Sequence, residues 1–348
     1  MSEIKPDRIK DVAMEKVSVI IPVLNEKLHV QELIETLCEQ DYPKECLEFL
    51  FVDGGSKDES KELIRHYCEE KGLPYSVLDN PNRTAPYAFN LGIEKANGSI
   101  IVILSAHSIY QKDYISNCVK HLLESDADNV GGFLRTIGRG FIGQCNAAVL
   151  TSWFGVGGSD FRLTNETKYV DTVPFGTFRK SLIEKIGGFN TELSRSEDNE
   201  FNYRIRKNGG KILMLSDVEI GYYCRDSVKE LVKMGFANGK GVGYTAIRYP
   251  DVLKLKYFIP MLFVFSLVFC GLFSLFSVPL LKYLFWIELA VYGLCDLYFT
   301  LKTKVSAKGK LIVFFLFPLF HISYGCGTIR GIISGLMAKK KYNSGGSD

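Results

Sequence analysis

The sequence lacks the marks of several large protein classes. None of its nine cysteines belongs to a CxxC pair or has zinc-ligand spacing, so we expect reduced thiols in a core or a membrane. The N-terminus, MSEIKPDRIK, has no apolar run, so no cleaved signal peptide is expected and the first part of the chain is predicted to stay in the cytoplasm. The net charge is only +3 and no basic block accompanies a DNA-reading motif, so nucleic acid is not an expected partner.

Long uncharged runs are present, but only in the last third of the chain. Residues 258–281 carry no charge and are long enough to cross about 30 Å of hydrocarbon as a helix. Residues 283–301 are also apolar but contain Glu288 and Asp296, and carboxylates inside a membrane usually face protein. We therefore expect two crossings, with the lysine-rich loop KTKVSAKGK on the cytoplasmic side.

A third apolar stretch, residues 311–329, is more ambiguous. Pro318 and the run YGCGTIRG interrupt it, and a crossing would place Lys339, Lys340 and Lys341 outside the cell. The pattern narrowly favours a re-entrant or in-plane element over a third span. The sequence thus predicts a soluble part over residues 1–225, an amphipathic segment at the membrane surface over 226–256, membrane helices over 257–338 and a basic tail over 339–348.

Apolar β-branched runs alternate with helical patterns in the soluble part. VSVIIPVLNE, LEFLFVDGGS, YSVLDN and SIIVILSAHS each indicate a strand and its exit loop. Residues 57–71, 85–96 and 111–125 indicate helices between them, and Thr84 is a candidate N-cap. This alternation predicts a parallel, doubly wound α/β sheet.

Ligands of such sheets bind beyond the carboxyl ends of the strands, so the residues after each apolar run are informative. The first run ends in PVLNE rather than GxGxxG, which disfavours a dinucleotide-binding dehydrogenase. Three strand ends carry a carboxylate, which suits ribose hydroxyls, base amides or a cation. These strand ends are Asn25–Glu26, Asp53–Gly54–Gly55–Ser56, Asp79–Asn80 and Ser105–Ala106–His107.

Five segments in order resemble the family 2 glycosyltransferases of the GT-A fold, most closely the membrane-attached, succinoglycan-type enzymes. They are IPVLNE, VDGGSKDES, NPNRTAPYAFNLGIEKANGSIIV, VPFGTFRKSL with the following IGGFN, and EDNEFNYRIRKNGG. The resemblance implies a GT-A catalytic domain, with a Rossmann-like, mostly parallel sheet, followed by an α-helical membrane anchor. It also implies inverting transfer, in which an acceptor hydroxyl displaces a nucleoside diphosphate from the anomeric carbon.

The resemblance assigns roles to individual residues. Asp198 matches the general base, and Glu197 would orient it or bind the acceptor. Arg204 and Arg206, on the following helix, are expected to be solvated or structural. The remaining matches fall into two groups: nucleotide-binding Pro22, Asn25, Glu26, Asp53, Gly54, Arg83, Ser105 and Ala106; and donor-sugar or acceptor residues Phe175, Gly176, Thr177 and Trp153. For Trp153, stacking on a sugar and core packing are equally supported.

The sequence departs from the family where an Asp-x-Asp normally holds a divalent cation. This chain has Ser105–Ala106–His107, and Ser105 cannot replace a carboxylate's charge. His107 is the predicted ligand of Mn²⁺ or Mg²⁺, with a direct diphosphate contact and a structural role as alternatives. Weaker metal binding, with Arg83, Lys240 or Arg225 supplying charge instead, also stays open.

The expected activity is transfer of a sugar from a nucleotide sugar, UDP-linked by the resemblance, to a polyprenyl-diphosphate-linked saccharide in surface polysaccharide synthesis. The absence of a Gln-x-x-Arg-Trp motif after Asp198 favours single-sugar transfer. Two alternatives remain: a polyprenyl-phosphate glycosyltransferase, whose phosphate acceptor needs no base, and a catalytically inactive membrane scaffold. The expected partners are the nucleotide-sugar donor, the lipid-linked acceptor and membrane lipids, and self-association through the membrane segment stays open. The protein is expected to be a multi-pass protein of the cell membrane with its catalytic domain on the cytoplasmic face.

Overall fold

The computed structural model describes residues 14–164, 166–274 and 279–344. Residues 1–13 of the predicted soluble part, 275–278 of the first predicted span and 345–348 of the predicted basic tail lie outside the described residues. The strands within the described ranges are β1 (Val17–Val23), β2 (Leu47–Asp53), β3 (Tyr75–Asp79), β4 (Ile100–Ile103), β5 (Ser108–Tyr110), β6 (Asn129–Ile137), β7 (Lys168–Tyr169), β8 (Thr177–Arg179) and β9 (Ile212–Tyr223).

Helices connect and cover these strands and continue beyond them. Short 3₁₀ turns occupy Lys44–Cys46 and Leu255–Phe258. The α-helices of the described chain are α1 (Val30–Cys38), α2 (Ser60–Lys71), α3 (Ala85–Lys95), α4 (Tyr114–Glu124), α5 (Gly140–Leu150), α6 (Trp153–Val156), α7 (Asp160–Leu163), α8 (Ser181–Ile186), α9 (Glu197–Lys207), α10 (Val228–Arg248), α11 (Ile259–Ser274), α12 (Pro279–Lys302) and α13 (Ala307–Ser344).

The strands form one mixed sheet in the order β3-β2-β1-β4-β8-β6-β9-β5, with β7 paired to β9. The predicted parallel arrangement is confirmed for the first four strands, where β1 lies parallel to both β2 and β4 and β2 lies parallel to β3. Beyond β4 the sheet changes, because β8 pairs antiparallel with both β4 and β6. The Gly-rich region after Val130, in which no strand pattern is apparent, supplies this second half.

Alternate residues of each central strand enter different cores. Val19 and Ile21 pack with α1, α2 and α4 on one face of the sheet, whereas Ile20 packs with α3, α8 and α9 on the other. This confirms the doubly wound architecture, since both faces are covered by helices. Thr84 is the N-cap residue of α3 as expected, but its side chain makes no capping bond and its Oγ1 is buried without a hydrogen-bond partner.

Glycines bring α10 and α13 into close contact. A Cβ added at Gly239 would lie 2.0 Å from the carbonyl oxygen of Tyr324, and one at Gly243 would lie 2.1 Å from that of Thr328. From the other helix, a Cβ at Gly331 would lie 2.1 Å from the carbonyl oxygen of Lys240. Small residues at such spacing allow two helix backbones to approach. The segment predicted to lie along a membrane surface therefore also packs on the C-terminal helix.

Three helical segments of the described chain have the length and apolar composition needed to cross a membrane: Leu255–Phe273, Pro279–Lys302 and Ala307–Lys340. The third was expected to be interrupted, but Pro318 lies inside a continuous helix. The glycines of YGCGTIRG do not break α13, because they lie where neighbouring helices approach: Gly327 and Gly331 face α10, and Gly325 faces Pro260 of α11. The predicted inward orientation holds for Asp296, whose exposed fraction is 2% and which accepts a hydrogen bond from Thr300.

Candidate active site

A single cavity of about 1140 Å³ extends from the sheet edge to the membrane-type helices. Its two polar ends are separated in sequence, since His107 follows β4 and Asp198 lies in the first turn of α9. Most of the residues predicted for the site line this cavity together. They are Pro22, Glu26, Gly54, Arg83, Ser105, His107, Trp153, Phe175, Gly176, Glu197 and Asp198.

Four predicted site residues do not line the cavity. Asn25, with φ of 58°, accepts a hydrogen bond from the Lys57 amide and so joins the loops after β1 and β2. Asp53 is 3% exposed, and its carboxylate accepts from the amides of its own turn. Ala106 and Thr177 are fully buried in the core. In this structure these side chains shape the loops and the core behind the cavity wall.

The loop around Arg83 forms one side of the cavity. Arg83 has a left-handed φ of 65°, and the side chain of Asn80 holds the loop by donating to the Thr84 carbonyl at 3.1 Å. A Cβ at Gly54 would approach the Arg83 carbonyl oxygen to 3.0 Å, so Gly54 permits this loop to lie against the end of β2. The space that Gly54 leaves beside the cavity is therefore occupied by the protein's own backbone.

His107 and Glu26, predicted for different tasks, contact each other directly. Nδ1 of His107 lies 3.0 Å from Oε1 of Glu26, and both side chains are mostly buried. A neutral ring that donates from Nδ1 keeps Nε2 as an acceptor or metal ligand. The Tyr222 ring lies 5.1 Å from the His107 ring and covers its other side.

The donor set fits only a sparsely coordinated cation. The described residues contain no group of three or more His, Cys, Asp or Glu side chains placed to hold a metal ion. His107 Nε2, with Glu26 beside it, offers one imidazole and one carboxylate, a mixed set that suits Mn²⁺ better than Mg²⁺. An ion here would depend on phosphate oxygens of a bound nucleotide to complete its coordination.

The two acidic residues at the start of α9 lie in another part of the cavity wall. Burial raises the pKa of both Glu197 and Asp198, and the neighbouring Asp198 charge raises that of Glu197 further. Oδ1 of Asp198 accepts hydrogen bonds from the amide and the side chain of Asn199. Arg195 is the cation that lowers both pKa values, and the residue before Glu197, Ser196, has a strained φ of 67°. A carboxylate with a raised pKa is suited to accept a proton near neutral pH.

A buried amide pair fixes the helix that carries these acids. Asn202 of α9 accepts from Asn129 of β6 at 2.7 Å and donates to the Val173 carbonyl at 3.0 Å. A Cβ at Gly176 would lie 2.1 Å from Oδ1 of Asn129, so Gly176 leaves space for this amide. Phe175, with φ of 53°, is thereby turned toward the cavity. No local sequence pattern indicates that Asn129 and Asn202, which are 73 positions apart, contact each other.

The other arginines and aromatic residues of the predicted site have definite contacts. Arg204 bonds Glu200 and the Gly188 carbonyl, and Arg206 bonds the Asp171 carbonyl, so both are structural as expected. Trp153 is 62% exposed and stacks on Phe299 of α12, although it also lines the cavity.

Three cations that line the cavity were missed: Arg162, Arg195 and Lys256. Arg162 lies in the irregular region between β6 and β8, where periodicity gives no information. Arg195 could have been predicted from the sequence, since it lies two residues before Glu197 and a cation so close to a predicted base is a candidate site residue. Of the cations named for the missing charge, Arg83 and Arg225 line the cavity and Lys240 does not.

The cavity continues into the C-terminal helices. Its wall there includes Phe263 of α11, Tyr292 of α12, and Phe320, His321 and Tyr324 of α13. His321 donates to the Phe154 carbonyl through Nε2 and accepts from the Tyr292 hydroxyl through Nδ1. The α/β part and the helices therefore enclose one common space rather than two separate sites.

The glycosyl transferase family 2 model matches residues 18–187. Residues 18–187 form a family 2 glycosyltransferase domain. The chain is 29% identical over 329 residues, 92% of its length and 98% of the relative's, to the Methanococcus voltae dolichyl N-acetyl-alpha-D-glucosaminyl phosphate 3-beta-D-2,3-diacetamido-2,3-dideoxy-beta-D-glucuronosyltransferase. It is 28% identical over 245 residues, 70% of its length and 74% of the relative's, to the succinoglycan biosynthesis protein ExoA of Rhizobium meliloti.

A solved structure shares the fold of the family 2 domain and its C-terminal extension. The mannosyltransferase PcManGT from Pyrobaculum calidifontis, in complex with GDP-Man and Mn²⁺, superposes with a TM-score of 0.57 at 17% identity, covering 92% of this chain and 88% of that one. The expected fold class and enzyme class are confirmed: the chain is a glycosyltransferase with an α/β catalytic domain and C-terminal helices that are long and apolar enough to anchor it in a membrane.

Proposed function

We propose that this glycosyltransferase transfers a sugar, with inversion, from a UDP-linked donor to a polyprenyl-diphosphate-linked saccharide, with Asp198 as general base. One observation carries the proposal: a single cavity joins the sheet edge, the carboxylate pair of α9 and the apolar helices. Each substrate class thereby has a wall of suitable chemistry, and the base lines the same cavity.

The proposed reaction is a single displacement at the anomeric carbon. The acceptor oxygen bonds to that carbon while the bond to the diphosphate oxygen breaks, and the hydroxyl proton passes to Asp198. The raised pKa of the Glu197–Asp198 pair makes this proton transfer effective near neutral pH. Glu197 helps to orient Asp198 or binds the acceptor, and Phe175, Gly176 and Trp153 border the sugars.

The donor nucleotide is assigned to the sheet edge. Pro22, Glu26, Gly54, Arg83 and Ser105 line that end of the cavity, and Asn25, Asp53, Ala106 and Thr177 support it from behind. A divalent cation, with Mn²⁺ preferred, would be held at His107 and would neutralise charge on the diphosphate.

The acceptor is assigned to the side of the cavity that the C-terminal helices enclose. The name of the Methanococcus voltae relative specifies a dolichyl-linked sugar phosphate, which is also a lipid-linked sugar, although it has one phosphate rather than two. A membrane-confined acceptor reaches a membrane-confined enzyme at a high effective concentration. We place residues 1–225 and the loop lysines at the cytoplasmic face, with residues 226–256 along the surface and 257–338 in the membrane as a multi-pass anchor.

The experiment that tests the proposal is a screen of the purified full chain in two stages. Hydrolysis of a panel of nucleotide sugars, each with several divalent ions, identifies the donor. Transfer from that donor to a synthetic polyprenyl-diphosphate saccharide, compared with the same saccharide lacking the lipid, then tests the acceptor. We expect a UDP-sugar to be hydrolysed and the lipid-linked acceptor to be strongly preferred. Equal use of the two acceptors would contradict the role given to the helices.

A further inference from the structure

Arg162 occupies an unusual position in the cavity wall. It belongs to α7, which packs over the end of β6, and its Nη1 donates to the Thr136 hydroxyl at 2.8 Å. Its guanidinium carbon lies 5.3 Å from the centre of the Tyr222 ring. Thr136 and Tyr222 are cross-strand neighbours in β6 and β9. Arg162 is therefore anchored on a fixed row of the sheet rather than on a mobile loop.

No ion pair within residues 14–164, 166–274 and 279–344 neutralises the positive charge of Arg162. Its contacts are a hydroxyl and two aromatic rings, and none of the ion pairs in the described chain includes it. Burial lowers the pKa of this guanidinium, and the neighbours that act against that effect are Tyr222 and Cys224 rather than a carboxylate. An arginine nevertheless stays charged in proteins, so this cation lines the cavity in need of an anion.

Arg139 provides a direct contrast, because it contacts Tyr223, the residue after Tyr222 in β9. Its guanidinium carbon lies 3.9 Å from the Tyr223 ring, and its Nη2 forms an ion pair with Glu32 at 2.7 Å. Arg139 thus has the same kind of aromatic neighbour, but it has a carboxylate and does not line the cavity. The difference between the two arginines is the missing anion.

The place of Arg162 indicates which anion it would meet. The Tyr222 ring contacts both the Arg162 guanidinium and the His107 ring, so the two basic groups flank the same tyrosine. Ser108, which follows His107, is itself the cross-strand partner of Tyr222 in β5. This is the strand end where Ser105–Ala106–His107 offers no carboxylate for a cation. This strand end therefore has few ligands for a metal ion, and the Arg162 guanidinium beside it can supply positive charge.

We propose that Arg162 binds the diphosphate of the donor nucleotide and stabilises it as the leaving group. The inference rests on the proposed nucleotide-sugar donor and adds a residue to that site. Guanidinium groups bind phosphate oxygens through paired hydrogen bonds, so the loss of one that directly contacts the diphosphate is costly. Arg162 stabilises the nucleotide whether or not a cation is bound, and its contribution is larger when no cation is present.

The test compares ligands with and without phosphate on the full-length protein in the presence of EDTA. Arg162→Gln should weaken UDP and inorganic pyrophosphate binding at least tenfold and leave uridine binding within twofold. Arg162→Lys should recover part of the loss. The matched control, Arg139→Gln, should change neither affinity. Addition of Mn²⁺ should reduce the Arg162→Gln defect.

A second measurement needs no variant and covers the case in which Arg162→Gln fails to fold. Phenylglyoxal modification of the wild-type protein, followed by peptide mass spectrometry, should show that pyrophosphate slows labelling of Arg162 several-fold and does not slow labelling of Arg139. Wild-type UDP affinity retained by Arg162→Gln, or labelling unaffected by pyrophosphate, would overturn the inference alone. A wild-type protein that binds neither UDP nor pyrophosphate would overturn the proposed donor as well.

Discussion

The two polar ends of the cavity are built differently. At the sheet edge, the polar side chains mostly bind one another: Asp53 accepts from its own turn, and Glu26 accepts from His107. At the start of α9, Glu197 and Asp198 are adjacent, and burial raises the pKa of both, with the Asp198 charge raising that of Glu197 further. We call the first set, Pro22, Glu26, Gly54, Arg83, Ser105 and His107, the donor wall, and the second set, Arg195, Glu197 and Asp198, the base wall.

The difference shows how one cavity divides binding from chemistry. A wall whose polar groups already have hydrogen-bond partners is rigid. It offers a ligand a fixed shape, backbone groups and a few cations, which suits the binding and release of a nucleotide. A wall with an incompletely neutralised carboxylate stores an unfavourable interaction that proton transfer relieves. Changes in the base wall should therefore reduce turnover, and changes in the donor wall should reduce nucleotide affinity.

The largest effect is expected from Asp198→Asn. The amide cannot accept the hydroxyl proton, so kcat should fall by about 10²–10⁴-fold while the affinity for UDP stays within twofold. Steady-state kinetics and calorimetry on the same preparation measure the two quantities. Asp126→Asn, which removes a surface partner of Lys211, is the control and should leave both unchanged. A modest loss in Asp198→Asn would instead favour a phosphate acceptor, which needs no base.

The next effect tests whether α10 positions the base wall. A Cβ at Gly241 would lie 2.5 Å from the Cβ of Arg195, so Gly241→Val must displace Arg195. We expect kcat to fall about tenfold, with UDP affinity unchanged because the donor wall has no contact with this glycine. Gly293→Val in α12 is the control, since nothing lies within 4 Å of a Cβ there. A loss of UDP affinity in Gly241→Val would break the distinction between the two walls.

The sequence predicts the donor wall better than it predicts the base wall. The end of a strand is recognisable in the sequence because an apolar run is followed by polar residues. Parallel strands bring such ends together at one edge of the sheet, so the sequence places Glu26 and His107 in one site. The spacing does not reveal that these two side chains bind each other, since their contact depends on rotamers and on the path of two loops. Nor does it show that Asp53 faces its own turn.

The base wall depends on contacts that no local pattern contains. Asp198 is recognisable from the resemblance, but its position relies on the Asn129–Asn202 bond between distant elements. The continuity of α13 was missed for a similar reason. Pro318 and glycines disfavour an isolated helix, whereas packing on α10 makes those glycines favourable contacts. Tertiary packing overrides local propensity at both places.

A smaller effect tests the metal assignment in the donor wall. If His107 holds the cation, His107→Ala should reduce stimulation by Mn²⁺ several-fold and weaken UDP binding in Mn²⁺, with little effect on UDP binding in EDTA. Titration of UDP with and without Mn²⁺ measures this. His66→Ala is the control because His66 also lies beside a glutamate, Glu70, but on the exposed surface of α2. Undiminished stimulation in His107→Ala would show that the cation, if bound, has other ligands.

The smallest effect concerns the pH dependence of the base wall. Turnover should rise with pH as the Glu197–Asp198 pair loses its proton, with a midpoint well above the usual carboxyl pKa of about 4. Glu197→Gln removes the neighbouring charge, so the midpoint should move to lower pH. Glu184→Gln, at an exposed position of α8, should not move it.

The same pair makes a prediction for folding stability with the opposite dependence on pH. Because the folded state holds its protons more tightly than the unfolded chain, the free energy of unfolding should fall as pH rises from about 4 through the raised pKa values. Thermal unfolding of Glu197→Gln should therefore depend less on pH across this window than that of the wild type. An equally steep dependence in the variant would mean that Glu197 does not take part in the coupled titration and that Asp198 alone accounts for the unfavourable charge of the base wall.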